Sequence, residues 1–160
     1  MAKKHIKTNA IRLLETENID FEAIFYESSG FADGVTVAKK LGQDPEDVYK
    51  TLVTENKEHE NFVFVIGVGH ELDLKKCAAA AGQKSLEMIH VKDITKVTGY
   101  VRGGCSPLGM KKQFKTVIDI SAAEKERIIF SGGKLGVQIK MNPEELARLT
   151  GAEFADIKRG

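Results

Sequence analysis

The twelve residues Thr98-Gly99-Tyr100-Val101-Arg102-Gly103-Gly104-Cys105-Ser106-Pro107-Leu108-Gly109 constrain this chain more than any other stretch. Gly99, Gly103, Gly104, Pro107 and Gly109 are all choices about the backbone. Glycine admits positive φ and lets another group approach its amide closely. Pro107 fixes its own φ and biases Ser106 toward an extended shape. A basic pair, Lys111-Lys112, follows. The stretch suits two uses. One is a tight turn between strands. The other is a rigid cradle whose amides receive a carbonyl oxygen, a carboxylate or a phosphate.

The surrounding pattern predicts what the loop is set into. Ile6, Ala10, Leu13 and Leu14 recur at helical spacing, which predicts an amphipathic helix over 4–17. Phe21 to Glu27 alternates as a strand, with Phe21, Ala23 and Phe25 on one face and Glu22, Ile24 and Tyr26 on the other. A short helix over 36–41 follows, opened near Asp33 and stopped by Gly42. Asp44-Pro45-Glu46-Asp47 opens about one more turn. The next strand, 48–55, places Lys50 on the face of Leu52 and Thr54, with Thr51 and Val53 opposite. Phe62 to Val68 is almost continuously apolar and predicts a central strand buried on both faces. Asp73 and Gly82 bracket a helix over 74–81.

Beyond it come a strand over 86–91, a short helix over 93–98 and, after the loop, a strand over 114–120. Ser121 and Glu124 have capping-box spacing. Residues 127–130 and 136–141 pair as a hairpin about a turn at Ser131-Gly132-Gly133-Lys134-Leu135. Asn142-Pro143 opens a helix that ends near Thr150 at Gly151, and a last strand spans 154–157. Strands joined by both hairpins and helices predict an α/β or α+β fold with a mixed sheet, in one domain over 1–160.

Size and charge narrow the classes. At 160 residues, roughly two thirds of the unfolded chain's surface can be buried without a disulfide or metal. Apolar residues at 42% and charged residues at 29% suit a soluble globular protein. A net charge of +1 is too small to drive strong nonspecific binding to nucleic acid, so any RNA contact needs a local patch. No apolar run approaches the ~20 residues of a membrane span, and the N-terminus lacks a signal-peptide core. Cys77 and Cys105 need not pair, which suits a reducing cytoplasm. The histidines and cysteines show no metal-ligand spacing.

Several side chains carry two readings. A mid-strand lysine such as Lys50 either snorkels to solvent or serves a site. Tyr26 is either core or cleft wall, and His70 is either a surface residue or faces a cleft. Cys105 sits in a glycine-rich loop able to activate a thiol. No Ser/His/Asp or Cys/His/Asn arrangement is evident.

Four motifs occur in a recognisable order: Lys50-Thr51-Leu52, Leu74-Lys75-Lys76, the Gly103-Gly104-Cys105-Ser106-Pro107-Leu108-Gly109 run with its preceding Thr98-Gly99-Tyr100, and Ser131-Gly132-Gly133-Lys134. Together they resemble the YbaK/EbsC family of aminoacyl-tRNA deacylases. The resemblance implies a curved, barrel-like mixed sheet ringed by short helices, with a cleft at its mouth. It implies that Lys50 is the functional lysine, that Tyr26 lines the cleft, and that Gly103, Gly104, Cys105, Ser106 and Gly109 hold substrate, with His70 a further candidate. The family position of Cys105 is variable, so its backbone is the expected contribution. No cofactor or metal is implied.

The implied substrate is Cys-tRNA(Pro), cleaved by attack of the cysteine's own thiol, with prolyl-tRNA synthetase as a partner and neither DNA nor a membrane. Related branches use water to clear alanine from tRNA for proline. Asp33 departs from the family, which often has an aromatic residue before Gly34; here Phe31 lies earlier. Lys75, Lys76, Lys111, Lys112 and Lys115 are either an RNA-facing patch or ordinary solvated lysines. Two rival functions remain at this level: a noncatalytic module that binds a tRNA end or nucleotide, and a Cys105-dependent thioesterase.

Overall fold

Local capping starts four of the helices. The structure, a computed structural model, describes residues 7–28 and 32–160. Within these, Thr8, Asp33, Asp73 and Asn142 each accept a hydrogen bond from an amide in the first turn of α1 (Asn9–Thr16), α2 (Gly34–Lys40), α3 (Leu74–Ala81) and α5 (Pro143–Thr150). The fourth helix in order, α4 (Ile94–Thr98), has no such cap. Gly82, Gly99 and Gly151 end α3, α4 and α5 in the left-handed conformation. The part of the first predicted helix before residue 7 lies outside the described residues, as do Ser29, Gly30 and Phe31.

The strands are β1 (Phe21–Phe25), β2 (Tyr49–Glu55), β3 (Asn61–Gly67), β4 (Glu87–Met88), β5 (Lys115–Asp119), β6 (Ile128–Lys134), β7 (Val137–Met141) and β8 (Glu153–Ala155). They form two sheets. One is antiparallel, in the order β1-β7-β6; the other is mixed, in the order β4-β2-β3-β5-β8. A bridge between Val48 and Ile129 links them, so the curved arrangement is an open barrel. The fold is the mixed α/β architecture expected.

Alternation along β3 divides the core. Phe62, Phe64 and Ile66 pack with Cys77, Ala78 and Ala81 of α3. Val65 faces the interior between the sheets, with Ile118, Phe130, Ile139 and Met141, and α1 and α5 add Leu14 and Leu146. A third cluster joins Val53 and Val63 to Ile89, Tyr100 and Cys105. It ties the glycine-rich loop to β2. Each large apolar side chain buried in this way contributes about 1.5–3 kcal/mol.

Four local expectations need correction. The Ser131-Gly132-Gly133-Lys134 run is not the hairpin turn. It belongs to β6 as an irregular stretch, with Ser131 opposite Gln138 and Lys134 opposite Val137, and the chain turns at Leu135-Gly136. Ser121 does not cap the turn after β5; Asp119 does, accepting from the Ser121 amide at 3.1 Å. The expected strand over 86–91 pairs only at Glu87–Met88, and 91–93 is a 3₁₀ turn. The last strand is Glu153–Ala155 rather than 154–157.

Candidate active site

The edge of β2 defines the site. On its side away from β3, β2 meets β6 at the Val48 bridge and β4 only from Thr54 onward. Between them, apart from the Ile89 amide that donates to the Val53 carbonyl at 3.2 Å, the strand has no ladder partner among the described residues, and a cavity of about 580 Å³ opens there. That volume is typical of small-molecule sites. Because the edge is open, residues from both faces of β2 line it: Tyr49, Lys50, Thr51, Leu52 and Val53. Asp33, Gly34 and Lys40 approach from the α2 side, Phe130, Ser131 and Gln138 from β6 and β7, and Arg102, Gly103 and Cys105 from the loop. Gly34 is required for this closeness, because a Cβ there would stand 2.3 Å from Val68 Cγ1.

Among the polar side chains that line the cavity, Lys50, Tyr26 and Thr51 have no hydrogen-bond or ion-pair partner among the described residues. Lys50 is half-buried and makes no hydrogen bond or ion pair among the described residues. The Tyr26 hydroxyl is likewise unpartnered. Thr51 Oγ1 is buried with no hydrogen-bond partner. A buried hydroxyl left without a partner is costly, on the order of 1–3 kcal/mol, unless a ligand satisfies it. Gln138, Asp33 and Ser131 in the lining are committed to protein partners. Gln43 and Gln138 exchange two amide hydrogen bonds, of 2.7 and 3.3 Å. Asp33 accepts from the Thr36 amide at 2.9 Å and from its hydroxyl at 3.1 Å. These bonds hold its carboxyl below the ordinary carboxylate range. The Ser131 hydroxyl accepts from the Gly133 amide.

The glycine-rich loop is braced from within. The Tyr100 hydroxyl donates to the Leu108 carbonyl at 2.6 Å, the Tyr100 amide donates to the Thr98 hydroxyl at 3.0 Å, and the Lys111 amide donates to the Thr98 carbonyl. Gly103 has φ +79, a conformation natural to glycine. The amides of Gly103 and Cys105 have no protein acceptor among the described residues, so they remain available to a ligand. The Gly104 amide does not: it donates to the Val101 carbonyl at 2.9 Å. Cys105 is buried, and burial pushes its thiol up to about 11. At neutral pH it is protonated, and among the described residues no histidine lines the cavity to act as its base.

Of the residues singled out from the sequence, the cavity gathers Tyr26, Lys50, Gly103 and Cys105. It leaves out four. Gly104 lies against the β6–β7 hairpin. Ser106 is fully buried and accepts from the Leu108 amide. Gly109, at φ +73, packs on Asn9 and Ala10 of α1. His70 pairs with Glu46 at 3.6 Å. Lys76, a candidate for an RNA-facing patch, is instead paired with Asp156 at 2.9 Å. Sequence reasoning missed Thr51 and Gln138 as cavity residues. A polar residue between Val137 and Ile139 in a buried strand was the available signal for Gln138. Among the described residues, no group of three or more His, Cys, Asp or Glu is placed to hold a metal ion.

Comparison with known proteins supplies a context. Residues 30–149 match the family model described as an aminoacyl-tRNA editing domain. A protein of Enterococcus faecalis, provisionally named a Cys-tRNA(Pro)/Cys-tRNA(Cys) deacylase, EbsC, is 45% identical over 160 residues, covering 98% of each chain. Among solved structures, a hypothetical protein designated APE2540 superposes with a TM-score of 0.87 at 19% identity, over 95% of this chain and 100% of the other. A protein provisionally described as a trans-editing enzyme for prolyl-tRNA synthetase superposes with a TM-score of 0.83 at 24% identity, over 98% of this chain and 100% of that one.

Proposed function

Because the chain belongs to the aminoacyl-tRNA editing domain family, we propose that it is a trans-editing deacylase that removes cysteine from mischarged Cys-tRNA(Pro). One observation carries the reading. Among the described residues, the cavity presents an unpaired lysine and two unpartnered hydroxyls, while its own thiol is held protonated with no histidine in the lining. Such a site binds and polarises an ester without supplying a nucleophile.

An aminoacyl ester is already activated, so orientation and charge stabilisation suffice. The sulfur of the bound cysteine attacks its own carbonyl carbon. The bond to the tRNA 3′ oxygen breaks, the thiol's proton ends on that oxygen, and a cyclic thioester leaves, to be hydrolysed by water. Held as a near-attack conformer, such an intramolecular step gains several kcal/mol from lost motion alone. The Lys50 ammonium stabilises charge on the carbonyl or the departing oxygen, and the Gly103 and Cys105 amides supply neutral donors. Tyr26 and Thr51 fix the aminoacyl group. All 160 residues act as one editing domain in the cytoplasm, alongside prolyl-tRNA synthetase.

The test is a deacylation panel of cysteine-, alanine- and proline-charged tRNA for proline. Release of cysteine well above the other two is expected. Preferential release of alanine would place the protein in a water-using branch. Binding without release would leave only a noncatalytic module.

A further inference from the structure

The charges of this chain are not spread evenly. Residues 84–115 hold seven lysines and arginines against two acids, a net +5, and the remaining 128 residues hold seventeen against twenty-one, a net −4. The same segment forms one flank of the cavity, through Met88, Ile89, Val91, Ile94, Arg102 and Cys105. Its cations are crowded. Lys92 and Lys96 lie four residues apart on consecutive helical turns, both exposed. Lys111 Nζ donates to the Lys96 carbonyl at 3.4 Å, and its stem lies against Gly99. Lys112 stands over the Phe114 ring at 5.9 Å.

Like charges at this spacing repel. Elsewhere Lys7, Lys76, Lys125, Arg127 and Arg148 each reach a carboxylate, and the remaining lysines and arginines outside the segment lie among an excess of acids. Among the described residues, Lys92, Lys96, Lys111 and Lys112 form no ion pair, and neither do the segment's own acids, Glu87 and Asp93. The exposed apolar side chains Met88, Val91 and Val101 lie in the same segment. A cationic surface with apolar residues interspersed, left uncompensated at the edge of a substrate cavity, suits a phosphate backbone and its sugars.

We propose that the face carrying Lys92, Lys96, Lys111 and Lys112 is the docking surface for the phosphate backbone of the RNA whose aminoacylated 3′ end enters the cavity. The proposal rests on the deacylase reading. It assigns the RNA to the α4 flank rather than to α3, where Lys76 is already neutralised by Asp156.

The experiment measures the affinity of uncharged tRNA for proline across a series of sodium chloride concentrations. It compares the wild type, Lys92→Gln/Lys96→Gln/Lys111→Gln, and a control, Lys57→Gln/Lys140→Gln/Lys158→Gln, drawn from outside the segment. Glutamine keeps most of each stem, so the packing on Gly99 persists. The first variant is expected to lose about 2–3 from the slope of log affinity against log salt, and at least about tenfold in affinity near 100 mM salt. The control is expected to keep the wild-type slope. A second arm follows cleavage of cysteine esterified to adenosine alone, which lacks the backbone; wild type and first variant should cleave it equally. An unchanged slope in the first variant, an equal loss in the control, or loss of cleavage of the minimal ester by the first variant would each overturn the docking assignment. Failure of the wild type to cleave both this minimal ester and Cys-tRNA(Pro) would instead overturn the deacylase reading, while the salt slope still reports the docking face.

Discussion

A Cβ placed on Gly104 would stand 3.1 Å from the Cα of Lys134. This contact joins the two glycine-rich motifs: the loop that borders the cavity rests on the bulged end of β6. Gly133, at φ +103, meets Tyr100 in the same way, since a Cβ there would stand 2.9 Å from the Tyr100 ring. Neither motif is a free turn. Gly104 is cut to the backbone of the β6 end and Gly133 to the Tyr100 ring, which braces the loop that carries the Gly103 and Cys105 amides at the cavity wall.

Substitutions in the loop should therefore rank by backbone damage rather than by chemistry. Gly104→Val presses a branched side chain on main-chain atoms that cannot move aside, and should lower stability by about 1–3 kcal/mol as well as activity. Gly103→Val places a β-branched residue at φ +79 and should cripple turnover. Cys105→Ser should keep far more activity than either. Deacylation rates and urea unfolding of the three variants check this order, and a dead Cys105→Ser with active glycine variants would make the thiol the nucleophile.

Lys50→Ala should leave the melting temperature near that of the wild type, because the amine makes no hydrogen bond or ion pair among the described residues. Turnover of Cys-tRNA(Pro) should fall by on the order of 10²–10³ if one preorganised donor is lost. Near-normal turnover in a folded Lys50→Ala protein would remove the lysine from the mechanism.

Thr51→Val separates a ligand role from a packing role. The replacement keeps the shape and deletes a hydroxyl that no protein group satisfies. Stability should hold or rise by up to about 1 kcal/mol, while the Michaelis constant or turnover worsens. Loss of stability with unchanged kinetics would show that the hydroxyl serves the fold.

Serine- and cysteine-charged esters on the same tRNA should differ steeply in rate. A hydroxyl is a far weaker nucleophile than a partly ionised thiol at neutral pH. A cyclic thioester should be trappable as the first product from the cysteine ester. Equal rates, with solvent oxygen in the first amino acid released, would show direct attack by water.

The two buried cysteines should make the fold sensitive to alkali. Burial raises Cys105 to about 11 and Cys77 to about 12 from an ordinary 9.0. An acid whose folded pKa lies above its unfolded one holds its proton more tightly when folded. Its stabilisation is whole below pH 9 and is lost as pH rises toward 11. Each thiol should remove about 1 kcal/mol by pH 10. Urea unfolding at pH 7 and pH 10 measures the loss, and Cys105→Ser should reduce it. The Cys105 thiol should also react slowly with iodoacetamide at neutral pH.

Much was legible because it is decided within a few residues. Asp73, Asn142 and Asp33 cap helices through amides two or three positions on, and Gly82, Gly99 and Gly151 stop them through their own φ. The continuous apolar run from Phe62 to Val68 correctly made β3 a strand buried on both faces. The misreadings are those that depend on distant partners. Ser131 to Lys134 has turn composition, yet pairing with Gln138 and Val137 draws it into a strand. Asp119 displaces Ser121 as a cap because its other oxygen accepts from the Ile157 amide, 38 residues away.

The site divides in the same way. Lys50 and Thr51 point to opposite faces of a strand by period alone, and on that basis could not share one pocket. They share it because β4 pairs β2 only at Thr54 and Glu55, while β6 touches it only at Val48, leaving the edge between them open. Residue types and local conformation were thus written into the chain order. Which strand edge stayed uncovered, and so where the cavity lies, was decided by the packing of two sheets that no local pattern encodes.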